Sequence, residues 1–293
     1  MAAIYADIRA MGSMEDYNAA VAKSRAVLKQ APETREFIRY ATLATNSHDT
    51  QPWRFKVTER RIDILPDLTR HLTAVYPDNH HLFVSLGCAA ENLALAAAIL
   101  GRGGALSFAG DNVGSVSFSF ANEVPAELAL FDAIPKRQST HSLYNGRAVT
   151  AADLATLANS ATVAGVDDVF SCDRAKTTQV RDLEIAGNSA QMADVAFMRE
   201  LKSWLRFNPR QALETGDGLF SATTGNPVLP AWAGSLMLDL VFKAAIENYK
   251  YTRQIDSSAG IAVFIAQKDD AERWVLVGRA CQRFWAAGNG PWS

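Results

Sequence analysis

The sequence predicts an α+β fold, and three observations predict it. From Trp53 to Ile64 apolar and polar residues alternate, Trp53, Phe55 and Val57 against Arg54, Lys56 and Thr58, then Ile62 and Ile64 against Arg61 and Asp63. That period of two is the signature of half-buried strands joined by a short turn. From Leu82 to Leu100 the chain is apolar on nearly every side, and Gly101 stands where a helix C-cap is expected, so this segment reads as a central core helix. Helix-start signals recur at Ser13 with Asp16, at Thr34, and at Thr150 with Asp153.

In chain order, Ser13 opens a helix to about Leu28, and Thr34 caps a second one carrying Phe37, Ile38, Ala41 and Leu43. The hairpin and the core helix follow, then strands near Ala105 to Phe108 and Ser115 to Phe120. Thr150 starts a short helix, Val163 to Phe170 reads as strand, and Arg174 to Leu205 as one long or broken helix. Asn208 to Trp232 carries Gly216, Gly218, Gly225, Pro209, Pro227 and Pro230 with little periodicity, as a lid or excursion would. A helix over Ala233 to Tyr249, a strand over Gly260 to Ala266 and a helix over Ala271 to Ala287 complete the chain.

With 293 residues, 48% of them hydrophobic, a sizeable core can form. Lysine plus arginine (29) nearly balances aspartate plus glutamate (31), and the basic residues are scattered, so no field suited to nucleic acid or an anionic membrane is expected. Cys88, Cys172 and Cys281 are odd in number, far apart and without metal spacing, which fits core fillers in a reduced cytoplasm. The N-terminus, MAAIYADIRAMGSMEDY, has early acidic residues and no apolar run of signal length. Ser85, Glu91 and Asn92 interrupt the longest apolar stretch, which marks a buried helix and not a membrane span.

One stretch resists a structural reading by pattern alone. From Thr45 to Pro52 the chain is almost without apolar side chains, yet it lies between segments patterned for burial. Either it is a capping turn that satisfies a helix end or it holds a ligand. Trp53 after it reads as a core anchor. Arg137 is either a solvated loop arginine or an anion contact. Gly101, Gly103 and Gly104 follow a helix instead of opening one and so read as C-cap and turn; Asp78, His80 and His81 read as a surface helix start, because adjacent histidines face apart on a helix. No serine has a GxSxG context, and no metal site is expected.

Three segments together resemble the nitroreductase-like flavoproteins. The corner Ala44-Thr45-Asn46-Ser47-His48-Asp49-Thr50-Gln51-Pro52-Trp53 is similar to a family motif of the form A-P-S-S-x-N-x-Q-P-W, half of it intact. SLGCAAENLALAAAILG (Ser85 to Gly101) is similar to the family's central helix, and IPKRQSTHSLYNGR (Ile134 to Arg147) to its Arg-x-Ser-x-basic segment that cradles flavin mononucleotide (FMN). The corner precedes the Arg-x-Ser segment here, the reverse of ordinary nitroreductases, and that order resembles the Acg-like branch. There, one chain carries two related halves and builds a single flavin site between them.

The resemblance implies a central, mostly antiparallel sheet flanked by helices, with residues 1–125 and 126–293 as the two halves of a monomeric pseudo-dimer. It implies FMN-dependent oxidoreduction, with electrons passing from NAD(P)H to a small-molecule acceptor such as a nitroaromatic or quinone. Asn46 and Ser47, with the backbone of Thr45, would meet the flavin edge, Asp49 and Gln51 the ring or ribityl chain, and Arg137 and Ser139 the phosphate. His141 stands where the family has arginine or lysine, a positive donor beside flavin N1 and the C2 carbonyl that favours reduction. Two alternatives remain open: an FMN-sequestering protein without turnover, and a remnant that no longer holds flavin. The family also continues past the last helix to a basic residue that grips the phosphate, and Gly288 to Ser293 does not match it, so C-terminal truncation with loss of that contact is expected.

Overall fold

The computed structural model describes residues 11–28, 33–111, 113–121, 125–139 and 142–288. Helix α1 (Met14–Ser24) begins where the sequence predicts, the Ser13 hydroxyl accepting from Asp16 N. Helix α2 (Thr34–Ala41) buries Phe37, Tyr40 and Ala41; its N-cap is Glu33, with no side-chain bond, so Thr34 is the first helical residue and not the cap. Strands β1 (Trp53–Val57) and β2 (Arg61–Pro66) form the expected antiparallel hairpin, with Phe55 opposite Ile64 and Val57 opposite Ile62.

The apolar segment is helix α3 (His80–Ala98). It is long and apolar enough to cross a membrane, but 83% of that stretch is buried inside the protein. β3 (Gly104–Ala109) and β4 (Ser115–Phe120) complete a four-stranded antiparallel sheet of order β1-β2-β4-β3. The register sets Ile62 opposite Phe118 and Ile64 opposite Val116 on one face. All four are essentially inaccessible and share one apolar core with Leu86, Ala89, Ala90 and Leu93 of α3. Alternation in the sheet and all-round apolarity in the helix thus meet in a single layer pair.

A short helix, α4 (Leu128–Ala133), follows, and Thr150 and Asp153 form the reciprocal capping box that opens α5 (Ala151–Ala161). Strand β5 (Val166–Ser171) is followed by α6 (Arg174–Ala193) and α7 (Val195–Ser203), broken at Asp194, whose carboxylate caps the second. Then come β6 (Leu205–Arg206), α8 (Pro209–Thr215), β7 (Leu219–Phe220), α9 (Ala231–Val241) and α10 (Ala244–Ser257). The single helix expected over 233–249 is therefore two, parted at Phe242, which takes an extended backbone (φ −78°, ψ 92°); neither glycine nor proline marks the break. Strand β8 (Ile261–Ala266) returns to pair antiparallel with β5, and α11 (Ala271–Gly288) closes the described chain.

Among the described residues the strands do not join in one central sheet: β5-β8 stands apart from the four-stranded sheet, and β6-β7 is a two-residue parallel pair. Everything from α6 to α10 lies between the paired strands β5 and β8, so the excursion expected at 208–232 is the middle of a longer one. Helix α3 packs directly against α11. At Gly87 an added Cβ would lie 2.0 Å from the Val275 carbonyl oxygen, and at Gly278 one would lie 1.9 Å from that of Val84. Helices this close need glycine on both sides. Gly87 and Gly278 are separated in sequence by the same interval as Val84 and Val275, so each glycine meets the counterpart of the residue that its own partner meets, the reciprocal pattern of a two-fold contact.

Candidate functional site

The polar corner begins where α2 runs out into turns, Ala44 N donating to Ala41 O at 3.1 Å. A single 3₁₀ turn, Ser47–Asp49, follows. His48, Asp49 and Gln51 all have positive φ, at 51°, 49° and 52°. A left-handed conformation costs a non-glycine residue about 1–2 kcal/mol, so three in four residues persist only because their surroundings over-determine them. Asn46 supplies much of that constraint: its Oδ1 accepts from Gln51 N at 2.9 Å, and its Nδ2 donates to Ala44 O at 3.3 Å and Asp49 Oδ1 at 3.2 Å. Gln51 Nε2 donates to the same Asp49 oxygen at 2.7 Å, and Thr50 is only 2% exposed. Thr45 is half-buried at the entrance. Strain of this kind concentrates at ligand-binding sites, and it is observed here independently of any resemblance.

Arg137 closes the other side. It caps the 3₁₀ turn Ile134–Lys136, donating its backbone N–H to Ala133 O at 2.9 Å. Its Nη2 donates to Leu43 O at 3.3 Å, at the head of the corner, and its Nη1 to Ser139 Oγ at 3.3 Å, while Nε is buried with no hydrogen-bond partner among the described residues. Arg25 Nη1 donates to the carbonyls of Pro135 and Arg137 at 2.9 Å each, which ties the end of α1 to this segment and brings a second cation near. Burial first, and then the Arg25 charge, lower the Arg137 pKa. The Asp49 pKa is raised, chiefly by desolvation in the crowded corner, against the bonds from Gln51 and Asn46 and the field of Arg137. The structure therefore brings the corner and Arg137 together, with Ser139 exposed beside them. His141 lies outside the described residues.

Residues that pattern reading missed complete the surroundings. His81 turns inward, its Nδ1 3.0 Å from Ser47 Oγ and its ring stacked on Tyr76 at 3.7 Å, while His80 stays at the surface with Asp78. The expectation of a surface helix start thus holds for His80 and fails for His81, because the helix is buried on nearly every side and one of two adjacent residues must face in. Ser85, whose hydroxyl donates to His81 O one turn on, was the available signal. The slot beneath the corner, bounded by Ser47, Thr50, Arg70, Tyr76 and His81, holds ≈ 10 Å³, room for about one water.

Burial, and after it the neighbouring His80 charge, hold the His81 pKa down to about 4, against 6.5 for an unperturbed ring. Between these values the unfolded chain binds a proton that the folded one refuses, so stability falls as pH drops through that window and levels off below it. The melting temperature is expected to decline over this range, and to decline less steeply in His81→Gln. Parallel curves for the two proteins would show that this ring is not the responsible group.

The excursion reaches the corner directly. Gly218 N donates to Asp49 O at 2.8 Å, and Arg70 Nη1 bridges Thr50 O at 2.9 Å and Asp217 Oδ2 at 2.6 Å. Phe220 packs edge-on against Tyr17 of α1 at 4.7 Å, and Arg210 N donates to Met11 O at 2.8 Å.

No protein-family model matches this chain. Two curated proteins from two strains of Mycobacterium tuberculosis, named "Putative NAD(P)H nitroreductase MT3217" and "Putative NAD(P)H nitroreductase Rv3131", are each 26% identical to it over 181 residues. The matched region is 59% of this chain and 51% of each relative, so the chain spans about half the length of the curated relatives it matches.

Proposed function

We propose that this chain is an FMN-dependent oxidoreductase of the nitroreductase-like kind, resembling the Acg-like branch, that takes electrons from NAD(P)H and passes them to a nitroaromatic, quinone or similar small acceptor. One observation carries the reading: the strained corner and Arg137, whose buried Nε has no hydrogen-bond partner among the described residues, meet at the Leu43 carbonyl. The names of the two relatives support it. The residues present fit the cofactor. A phosphate calls for a fixed cation with a free donor and a nearby hydroxyl, which Arg137 Nε and Ser139 supply with Arg25 behind them. A polar ring edge calls for amide and hydroxyl groups, which Asn46, Ser47 and Gln51 supply, with Thr45 and Asp49 beside them.

Bound flavin would supply the hydride acceptor and the electron relay between donor and acceptor. The chain's part is to bind, to orient and to exclude water, and no side chain need act as acid or base in hydride transfer from the nicotinamide. The reciprocal contact of Gly87 and Gly278 supports two related halves in one chain, and with it a monomer that completes its own site. Three free cysteines fit a reduced cytoplasm.

A second reading, flavin held without turnover, is favoured by the excursion, which Gly218 and Asp217 pin onto the corner. The visible spectrum of freshly purified protein, followed by anaerobic NADPH, separates the two. A flavin spectrum that bleaches supports the oxidoreductase, one that persists supports sequestration, and colourless protein that takes up no FMN refutes both. Arg137→Ala removes a charge-assisted contact worth about 1.5–3 kcal/mol and is expected to weaken FMN by about 10- to 150-fold in a fluorescence titration. Unchanged affinity in a folded variant would remove the phosphate from this position.

A further inference from the structure

Beside the corner opens a cleft of ≈ 320 Å³ lined by Thr69, Arg70, Ser203, Trp204, Arg206 and Asp217. We infer that it receives a nucleoside diphosphate, and that the Asp217 carboxylate occupies the place its phosphates would take. Asp217 lies between two guanidiniums, accepting from Arg70 Nη1 at Oδ2 and from Arg206 Nη2 at Oδ1, each at 2.6 Å. One carboxylate against two cations leaves an excess positive charge. Asp67 stands 3.8 Å from Arg70 Nε, but it is engaged by Arg54 at 2.8 and 3.1 Å and by Thr69. Each guanidinium gives Asp217 one nitrogen, while Arg206 holds Thr215 Oγ1, Ser203 O and Leu205 O with its others, so two fixed charge-assisted donors converge on one point, which suits the oxygens of a diphosphate.

Trp204 lends the same cleft an aromatic surface on which a base can stack. The volume is at the lower end of small-molecule sites, about 300–1,000 Å³, and suits one nucleotide and not a whole dinucleotide. Arg70 bonds both Asp217 and the Thr50 carbonyl of the corner, so the cleft and the corner adjoin. Resting on the flavin reading above, the ligand is then the ADP part of the nicotinamide donor, with its nicotinamide toward the corner. Docking there would also release Asp217 from Arg70, next to Gly218, whose N–H ties the excursion to Asp49. That turn is built tightly: Gly218 has φ +81°, and a Cβ there would lie 2.5 Å from Trp204 O.

The test titrates ADP into the full-length protein while tryptophan fluorescence is followed, with Trp204→Phe isolating that indole. Saturable quenching that Trp204→Phe abolishes is expected, and Asp217→Asn, without the competing carboxylate, should bind ADP about tenfold more tightly. A purely structural Asp217 would not produce tighter binding. No Trp204-dependent response overturns the site, and equal or weaker ADP binding by a folded Asp217→Asn protein overturns the exchange. Should Asp217→Asn fail to fold, Arg70→Lys, which keeps the charge but loses the donor that the guanidinium holds at fixed position, is expected to weaken ADP about tenfold, and equal affinity overturns the assignment. None of these titrations needs flavin, so they fail separately from the flavin reading. With FMN bound, competition between ADP and NADPH identifies the donor as the source of the diphosphate, and ADP binding without competition refutes that identification.

Discussion

Gly278→Ala is expected to cost several kcal/mol of stability and to part α11 from α3. In a helix the substitution by itself would gain about 1 kcal/mol from propensity, so its sign is decided by space. The new methyl would stand 1.9 Å from the Val84 carbonyl oxygen and 3.1 Å from Cys88 N. These are backbone atoms of a buried helix, so no side chain can swing aside, and relief requires α11 to move off α3. That motion would break the bond from Cys88 Sγ to Gly278 O, now 3.1 Å, and strip cover from Cys88 and Glu91, both buried on the face toward α11. Overpacking costs typically about 1–3 kcal/mol when the surroundings adapt and more when they cannot, and ~3–5 kcal/mol is expected here. Gly87→Ala should behave alike, since its methyl would meet Val275 O at 2.0 Å. Chemical denaturation of the two variants is the measurement. Stability equal to the parent protein in both would mean that the two helices are not in backbone contact.

Glu91→Ala is the second large effect. Glu91 is 2% exposed, and its two oxygens accept from Arg279 Nε and Arg283 Nη1, each at 2.8 Å. Arg283 also donates to both oxygens of Glu127 and, through Nε, to Ser160 O. Burial alone would disfavour its charge, but Glu127 and Glu91 more than offset that and raise its pKa. Removing the carboxylate takes Arg279's partner away and leaves Arg283 to Glu127, and breaking a buried pair costs about 3–5 kcal/mol, more than the pair itself contributes. Arg279 keeps some access to water, so the lower part of that range is expected. Glu91→Gln, which retains one acceptor, should lose clearly less in the same denaturation series; equal losses would mean that volume and not charge is responsible.

The same residues show where the sequence was sufficient by itself. The hairpin, the core helix and the cap at Thr150 follow from spacing and side-chain chemistry over a few neighbours, so the alternation of Trp53 to Ile64 and the apolarity of Leu82 to Leu100 were legible without tertiary information. The corner was also visible, as polar residues where burial was expected, but not its conformation: positive φ at His48, Asp49 and Gln51 is held partly by Asn46 within the corner and partly by Gly218 and Arg70 from elsewhere. Tertiary structure alone decided that His81 faces Ser47, that Arg25 supports Arg137, and that Asp217 lies between Arg70 and Arg206. These pairs are separated by 34, 112, 147 and 11 residues, and no periodicity reports on such contacts. The pairing of Gly87 with Gly278 belongs with them: each glycine alone reads as a weak point in a helix, and only the second helix, brought within backbone contact, makes it the residue the fold requires.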